Sequence, residues 1–305
     1  MEKNRSPIEA ICASPIGLGC MRLTTLPDEE AVRRLVDTAL ENGIRLFDHA
    51  DIYNAGASEA LFGRAIPPSY RDRILLQSKC SIRPGVCYDL SREHILESVE
   101  GSLKRLGTDH LDLLLLHRPD ALAEPEEVAE AFAQLRQSGK VLAFGVSNHS
   151  PMQIELLNRA CGGQIRVNQI QMSLAHCPGI DAGFHVNMED SFACSRGGDI
   201  LSYSRLQGIK LQAWSPFQYG TFRGSFIGNP QFPALNKALS AMAEKYGITE
   251  NAVAIAWLLR HPAGITPIVG TMNPERLKGI AAAARVRLSR EDWYALYLAA
   301  GKDLP

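Results

Sequence analysis

Residues 111–117 read LDLLLLH, and this run decides the fold because it is apolar at nearly every position. A strand with one face in water alternates apolar and polar side chains, whereas a strand of a parallel sheet covered by helices on both faces does not. Amphipathic stretches flank it. Before it, 91–106 predicts a helix with Ser91 as N-cap and Gly107 as its stop; after it, 125–138 predicts a helix closed by Gly139. Helix, buried strand, helix is the repeating unit of an α/β protein.

The same unit recurs outward in both directions. Toward the N-terminus, strands are predicted at 16–20, 44–48 and 73–78, with helices at 28–42 and 58–65. Toward the C-terminus, strands fall at 141–146, 166–170, 210–213 and 266–269. The helices there are 150–160, 192–206, 233–246, 250–260 and 274–284, and 289–300 is one helix more than a minimal barrel needs. Eight strands alternate with helices without a linker or a break in composition. The expectation is one (β/α)8 TIM barrel of the α/β class, a single domain over 1–305, with a short N-terminal segment and an extra C-terminal helix.

Composition narrows the function. Lys plus Arg (32) nearly cancel Asp plus Glu (33), so no global field favours nucleic acid or an anionic membrane. The seven cysteines are scattered with no CxxC pair, which fits reduced thiols. The first fifteen residues lack the apolar core of a signal peptide, and no stretch approaches ~18 consecutive apolar residues. A cytoplasmic protein without a membrane partner is expected, and oligomeric state stays open.

In a parallel barrel the reactive groups gather where the strands end, because the loops there form one concave rim. Asp48 ends the second strand with Tyr53 just beyond it, Lys79 ends the third and His117 the fourth. These come from three consecutive strands and converge. The remaining histidines show no metal-ligand spacing such as HExxH, so no metal site is expected. Neither G-x-G-x-x-G nor a P-loop occurs.

The segments LFDHADIY, LLQSKC, LLLLHRP, GVSNH, VNQI, AWSP and PIVGTMNPERL together resemble the motif series of aldo-keto reductases, from GLGC at 17–20 to PERL at 274–277. The resemblance implies a catalytic tetrad of Asp48, Tyr53, Lys79 and His117 acting on a small-molecule carbonyl. Hydride addition puts negative charge on the carbonyl oxygen, so a proton donor must lie within reach of it, and Tyr53 is that donor. A free phenol has a pKa of about 10. A neighbouring Lys79 ammonium is expected to lower it, with Asp48 keeping the lysine charged and His117 orienting the carbonyl.

The resemblance also implies NADPH as cofactor, with NADH possible. Ser147, Asn148 and Gln169 are expected on the nicotinamide carboxamide, Trp214 against the ring, and Ser215 among the cofactor-binding residues. Gly270, Thr271 and the following helix start are expected on phosphate, with Arg276 on the 2′-phosphate. Gly270 departs from the lysine many members carry there, and Ile280 from a common asparagine. The loop 216–233, with Tyr219, Phe222, Arg223 and Phe226, stands where the family folds a segment over the pyrophosphate. Cys20, Met21, Tyr88 and Arg118 are candidates for the substrate pocket. Two other readings are a nucleotide-binding regulatory barrel subunit and a non-redox barrel isomerase using Lys79 and His117.

Overall fold

The computed structural model describes residues 7–185, 188, 191, 199–220 and 223–302. Eight parallel strands close into a barrel in which each strand pairs with its neighbours in sequence and the eighth with the first, Gly17 lying opposite Ile268. The strands are Gly17–Gly19, Leu46–Asp48, Leu75–Cys80, Leu113–Leu116, Phe144–Ser147, Ile165–Gln171, Lys210–Trp214 and Thr266–Val269. All four residues of Leu113–Leu116 are buried, which is why that segment carries no polar alternation.

Local chemistry sets the ends of the helices. Asp28 caps Glu29–Glu41, Ser91 caps Arg92–Leu106, and Gly107 ends the latter in the left-handed conformation. Ser150 and Gln153 form a capping box on Pro151–Cys161. Pro233–Tyr246 and Glu250–Arg260 match the sequence reading to the residue, and the extra C-terminal helix is Arg290–Ala299. Asp199–Gln207 occupies part of the predicted 192–206 helix; positions 192–198 of that expectation lie outside the described residues.

Three elements were not expected. A helix at Pro7–Ala13 brings Ile11 to full burial among Leu46, Leu75, Leu113, Leu115, Val167 and Ile268, plugging the foot of the barrel. A small antiparallel pair, Ile82–Arg83 with Cys87–Tyr88, follows the third strand. A short helix, Pro178–Phe184, follows the sixth.

Inside the barrel, residues at alternate strand positions stack in layers. The lowest is the apolar layer around Ile11. Above it lies a layer of buried amides, Gln77, Gln169 and Gln212, joined to Asp48. Lys79, two residues beyond Gln77 on the same strand face, stands at the top of this stack.

Candidate active site

Lys79 is buried to 1% exposure, yet its ammonium has an acceptor for each of its three N–H bonds. It donates to Asp48 Oδ1 at 2.6 Å, to the carbonyl of His49 at 2.9 Å and to the phenol oxygen of Tyr53 at 3.1 Å. Burial pulls the lysine pKa down, but the attraction of Asp48 and Tyr53 and the hydrogen bonds to both together hold it above its usual value. Asp48 also accepts from Gln77 and, at 3.2 Å, from Gln169, so the carboxylate is held by donors from two other strands.

Tyr53 sits on a turn that glycine-like backbone makes possible. Asn54, Ala55 and Gly56 all lie at positive φ (50°, 53° and 85°), and Asn54 ties the turn to the first strand's loop by donating to the Met21 carbonyl at 2.9 Å. The His117 ring stands edge-on to Tyr53, centroids 6.0 Å apart. Burial and the nearby cations Lys79 and Arg118 push the His117 pKa down to about 2, so the imidazole is neutral. Its Nδ1 is buried with no partner among the described residues.

The expected acidity of Tyr53 is corrected. Burial raises the phenol pKa above 10, and although Lys79 pulls it down, Asp48 pushes it back up. Lys79 and Asp48 form a nearly neutral pair as seen from the phenol, so the cation acts at reduced strength. The resting side chain is a protonated phenol.

Around the tetrad, the Asn148 amide donates to Ser147 Oγ at 2.9 Å and its oxygen accepts from the Trp214 indole at 3.0 Å. Trp214 is half-buried and thereby held in one orientation. Asn148 and Ser215 both have positive φ (59° and 50°), conformations non-glycine residues seldom adopt. Ser147 and Gln169 are 1% and 2% exposed and belong to the interior network: Ser147 donates to the Gln169 carbonyl at 2.8 Å, and both N–H groups of Gln169 are occupied by Asp48 and Gln212.

At the end of the eighth strand, Gly270 presents its carbonyl to Arg22, whose guanidinium reaches over from the first strand's loop. Thr271 is buried and accepts from the Asn273 amide at 3.2 Å, while Asn273 caps the helix that carries exposed Arg276. In the 216–233 loop, Phe226 is fully buried, so it anchors the loop to the core and is not offered to a ligand; Tyr219 packs on Phe232 at 5.0 Å. Phe222 lies outside the described residues.

Of the pocket candidates, Met21 and Tyr88 are 42% and 50% exposed at the rim, and Arg118 is half-buried beside His117. Cys20 has no exposure, so it cannot line an open pocket: it follows the first strand on the core side, where burial first and Asp48 second hold its thiol protonated. Sequence reasoning missed Gln77, Gln212 and Arg22. The two glutamines were visible as polar interruptions of otherwise apolar strands.

A closed parallel barrel brings these four side chains together on its carboxyl rim, the place where barrel enzymes carry their active sites. The model described as the Aldo/keto reductase family matches residues 15–297, and the chain belongs to that family. It is 39% identical over 286 residues to a 6-dehydroglucose reductase of Agrobacterium fabrum (strain C58), covering 90% of this chain and 89% of the relative. A 6-dehydroglucose reductase of Novosphingobium aromaticivorans is 37% identical over 310 residues, covering 97% and 94%. The fold is similar to the crystal structure of an aldo/keto reductase from Klebsiella pneumoniae in complex with NADP and acetate, with TM-score 0.76, 27% identity and coverage of 95% and 93%. Among the described residues no helix is long and apolar enough to cross a membrane, and no group of His, Cys, Asp or Glu is arranged to hold a metal ion.

Proposed function

We propose that this chain is an NADPH-dependent carbonyl reductase in which Tyr53 protonates the substrate oxygen. The observation that carries the reading is the donor count at Lys79: its third N–H goes to the Tyr53 oxygen, which leaves the phenol's own hydrogen for an external acceptor.

The rim fits a nicotinamide dinucleotide. An indole of fixed orientation, a buried imidazole nitrogen without a partner and two strained backbone positions meet at one place. When bound, the cofactor supplies hydride. Trp214 would stack on its ring, Asn148 would bond its carboxamide, and Arg276 would pair with its 2′-phosphate, which would favour NADPH over NADH. Arg22 supplies at Gly270 the positive charge that a glycine lacks.

Tyr53 gives its proton to the carbonyl oxygen as negative charge develops there, and Lys79 stabilises the phenolate left behind. Asp48 keeps Lys79 charged and in place. Neutral His117 donates one hydrogen bond that orients the carbonyl, with Met21, Tyr88 and Arg118 at the mouth of the pocket. Because two relatives are named 6-dehydroglucose reductases, sugar aldehydes are the substrate class to which the reading extends.

The test is NADPH oxidation with 6-dehydroglucose and with 4-nitrobenzaldehyde, alongside fluorescence titration of NADPH and NADH. Turnover of an aldehyde with tighter binding of NADPH supports the reading. Tight binding without turnover of any aldehyde favours a regulatory subunit, and absence of nucleotide binding ends both.

A further inference from the structure

Away from the tetrad, a cavity of about 490 Å3 opens on the outer wall of the barrel. It is bounded by Pro178–Phe184, Asp199–Gln207, the end of Glu250–Arg260 and the start of Arg290–Ala299. Its size lies within the roughly 300–1,000 Å3 of small-ligand sites.

Among the described residues, four arginines line it, Arg205, Arg260, Arg287 and Arg290, together with His261, and no carboxylate does. Among the described residues none of the four is in an ion pair. Asp292, in the first turn of the adjoining helix, is engaged by Lys245 and Tyr246. The charge is felt locally: burial and Arg205 hold the His261 pKa down to about 4. Arg260 is fixed by donating its Nε to the Leu288 carbonyl at 2.8 Å.

The opposite wall is aromatic and rigid. Trp293 is stacked on Trp257 at 4.7 Å and 7°, and Tyr294 meets Trp293 edge-on at 5.0 Å and 80°. Like charges gathered together are unfavourable until an anion joins them, and planar guanidinium forks match phosphate oxygens in pairs. Trp293 is itself buried, so the half-buried Tyr294 is the aromatic side chain beside them that suits a planar ring.

We propose that this cavity is a second, nucleoside phosphate site, with the phosphates on the arginine forks and the base against Tyr294, which Trp293 backs. It does not rest on the reading of the tetrad. Nothing in it is shared with Tyr53, Lys79, Trp214 or Arg276.

The test is calorimetric titration of ATP into the full-length protein in saturating NADP+, which removes binding at the rim. Wild type is expected to bind one ATP below millimolar concentration. Arg205→Ala with Arg290→Ala, both exposed positions, is expected to weaken it at least about tenfold, since charge-assisted bonds are lost. Tripolyphosphate, which has the charge without the ring, is expected to bind more weakly than ATP, and adenosine more weakly still. No heat at millimolar ATP, equal affinity in the double variant, or tripolyphosphate matching ATP overturns the proposal. A protein that fails to take up NADP+ contradicts the reductase reading, while the comparison of ATP binding between wild type and double variant still decides this one.

Discussion

At the scale of single residues, the buried pair Lys79 and Asp48 sets both the chemistry and its structural cost. Replacing Lys79 by Met leaves a buried carboxylate without its cation, which is expected to cost about 3–5 kcal/mol of stability, read as a lower urea midpoint. The residue types of the tetrad were legible in the sequence because strand ends place them on one rim. The acidity of Tyr53 was not, because it is decided by burial and by the neutralising of Lys79 by Asp48, and neither is written in spacing. Asp51, two positions before Tyr53, shows the same limit: burial and neighbouring Glu59 raise its pKa to about 7. Its folded pKa lies above the unfolded value of 3.8, so the native state holds a proton that the unfolded chain releases, and the contribution of Asp51 to stability falls as pH rises from about 4 to 7. Asp51→Asn is expected to remove up to ~4 kcal/mol of that fall. Denaturation of both proteins at pH 5.5 and 8 checks it; an unchanged slope in the variant contradicts it.

At the scale of elements, helices with strong caps and strands with buried runs were readable, whereas elements defined only by contact were not. Pro7–Ala13 has too few residues for a periodic signal and is a helix because Ile11 finds the barrel foot. The Ile82–Arg83 and Cys87–Tyr88 pair is too short to show alternation. Helix packing depends on close approach at Gly63, where a Cβ would land on the backbone of Arg105 and Leu106. Gly63→Ala is expected to push Ala57–Ala65 away from Arg92–Leu106 and to strain the buried Glu59 and Arg105 ion pair (2.8 Å). A loss of about 1–3 kcal/mol or more follows, measured by thermal unfolding; a neutral substitution would mean the helices separate at no cost.

At the scale of the whole molecule, the barrel is closed at its foot and strained at its rim. Asn54, Ala55, Ser81, Asn148 and Ser215, the non-glycine residues at positive φ among those described, all lie on loops that follow strands, where the site is. Ile11→Ala opens the plug and is expected to cost about 2–5 kcal/mol, seen as a lower melting temperature with rim geometry kept. Acid weakens the whole barrel for a separate reason. His49, His117 and His149 are kept neutral at pKa values of about 3, 2 and 4, so below 6.5 the unfolded chain takes up protons that the native state refuses. Each group then removes up to about 1.4 kcal/mol per pH unit, and a stability profile that stays flat from pH 6.5 to 5 would contradict this burial. The alternation of buried strands and capped helices made the barrel legible; the plug, the amide layer and the arginine cavity depend on contacts between segments far apart in sequence.

In the proposed reaction the Tyr53 hydroxyl supplies the proton to the reduced carbonyl. That step is tested most directly by kcat of Tyr53→Phe with saturating NADPH and aldehyde, since the change removes one oxygen and spares the ring. A fall of at least about 100-fold, with NADPH affinity retained, is the expected result; a kcat close to that of the unaltered protein would contradict it.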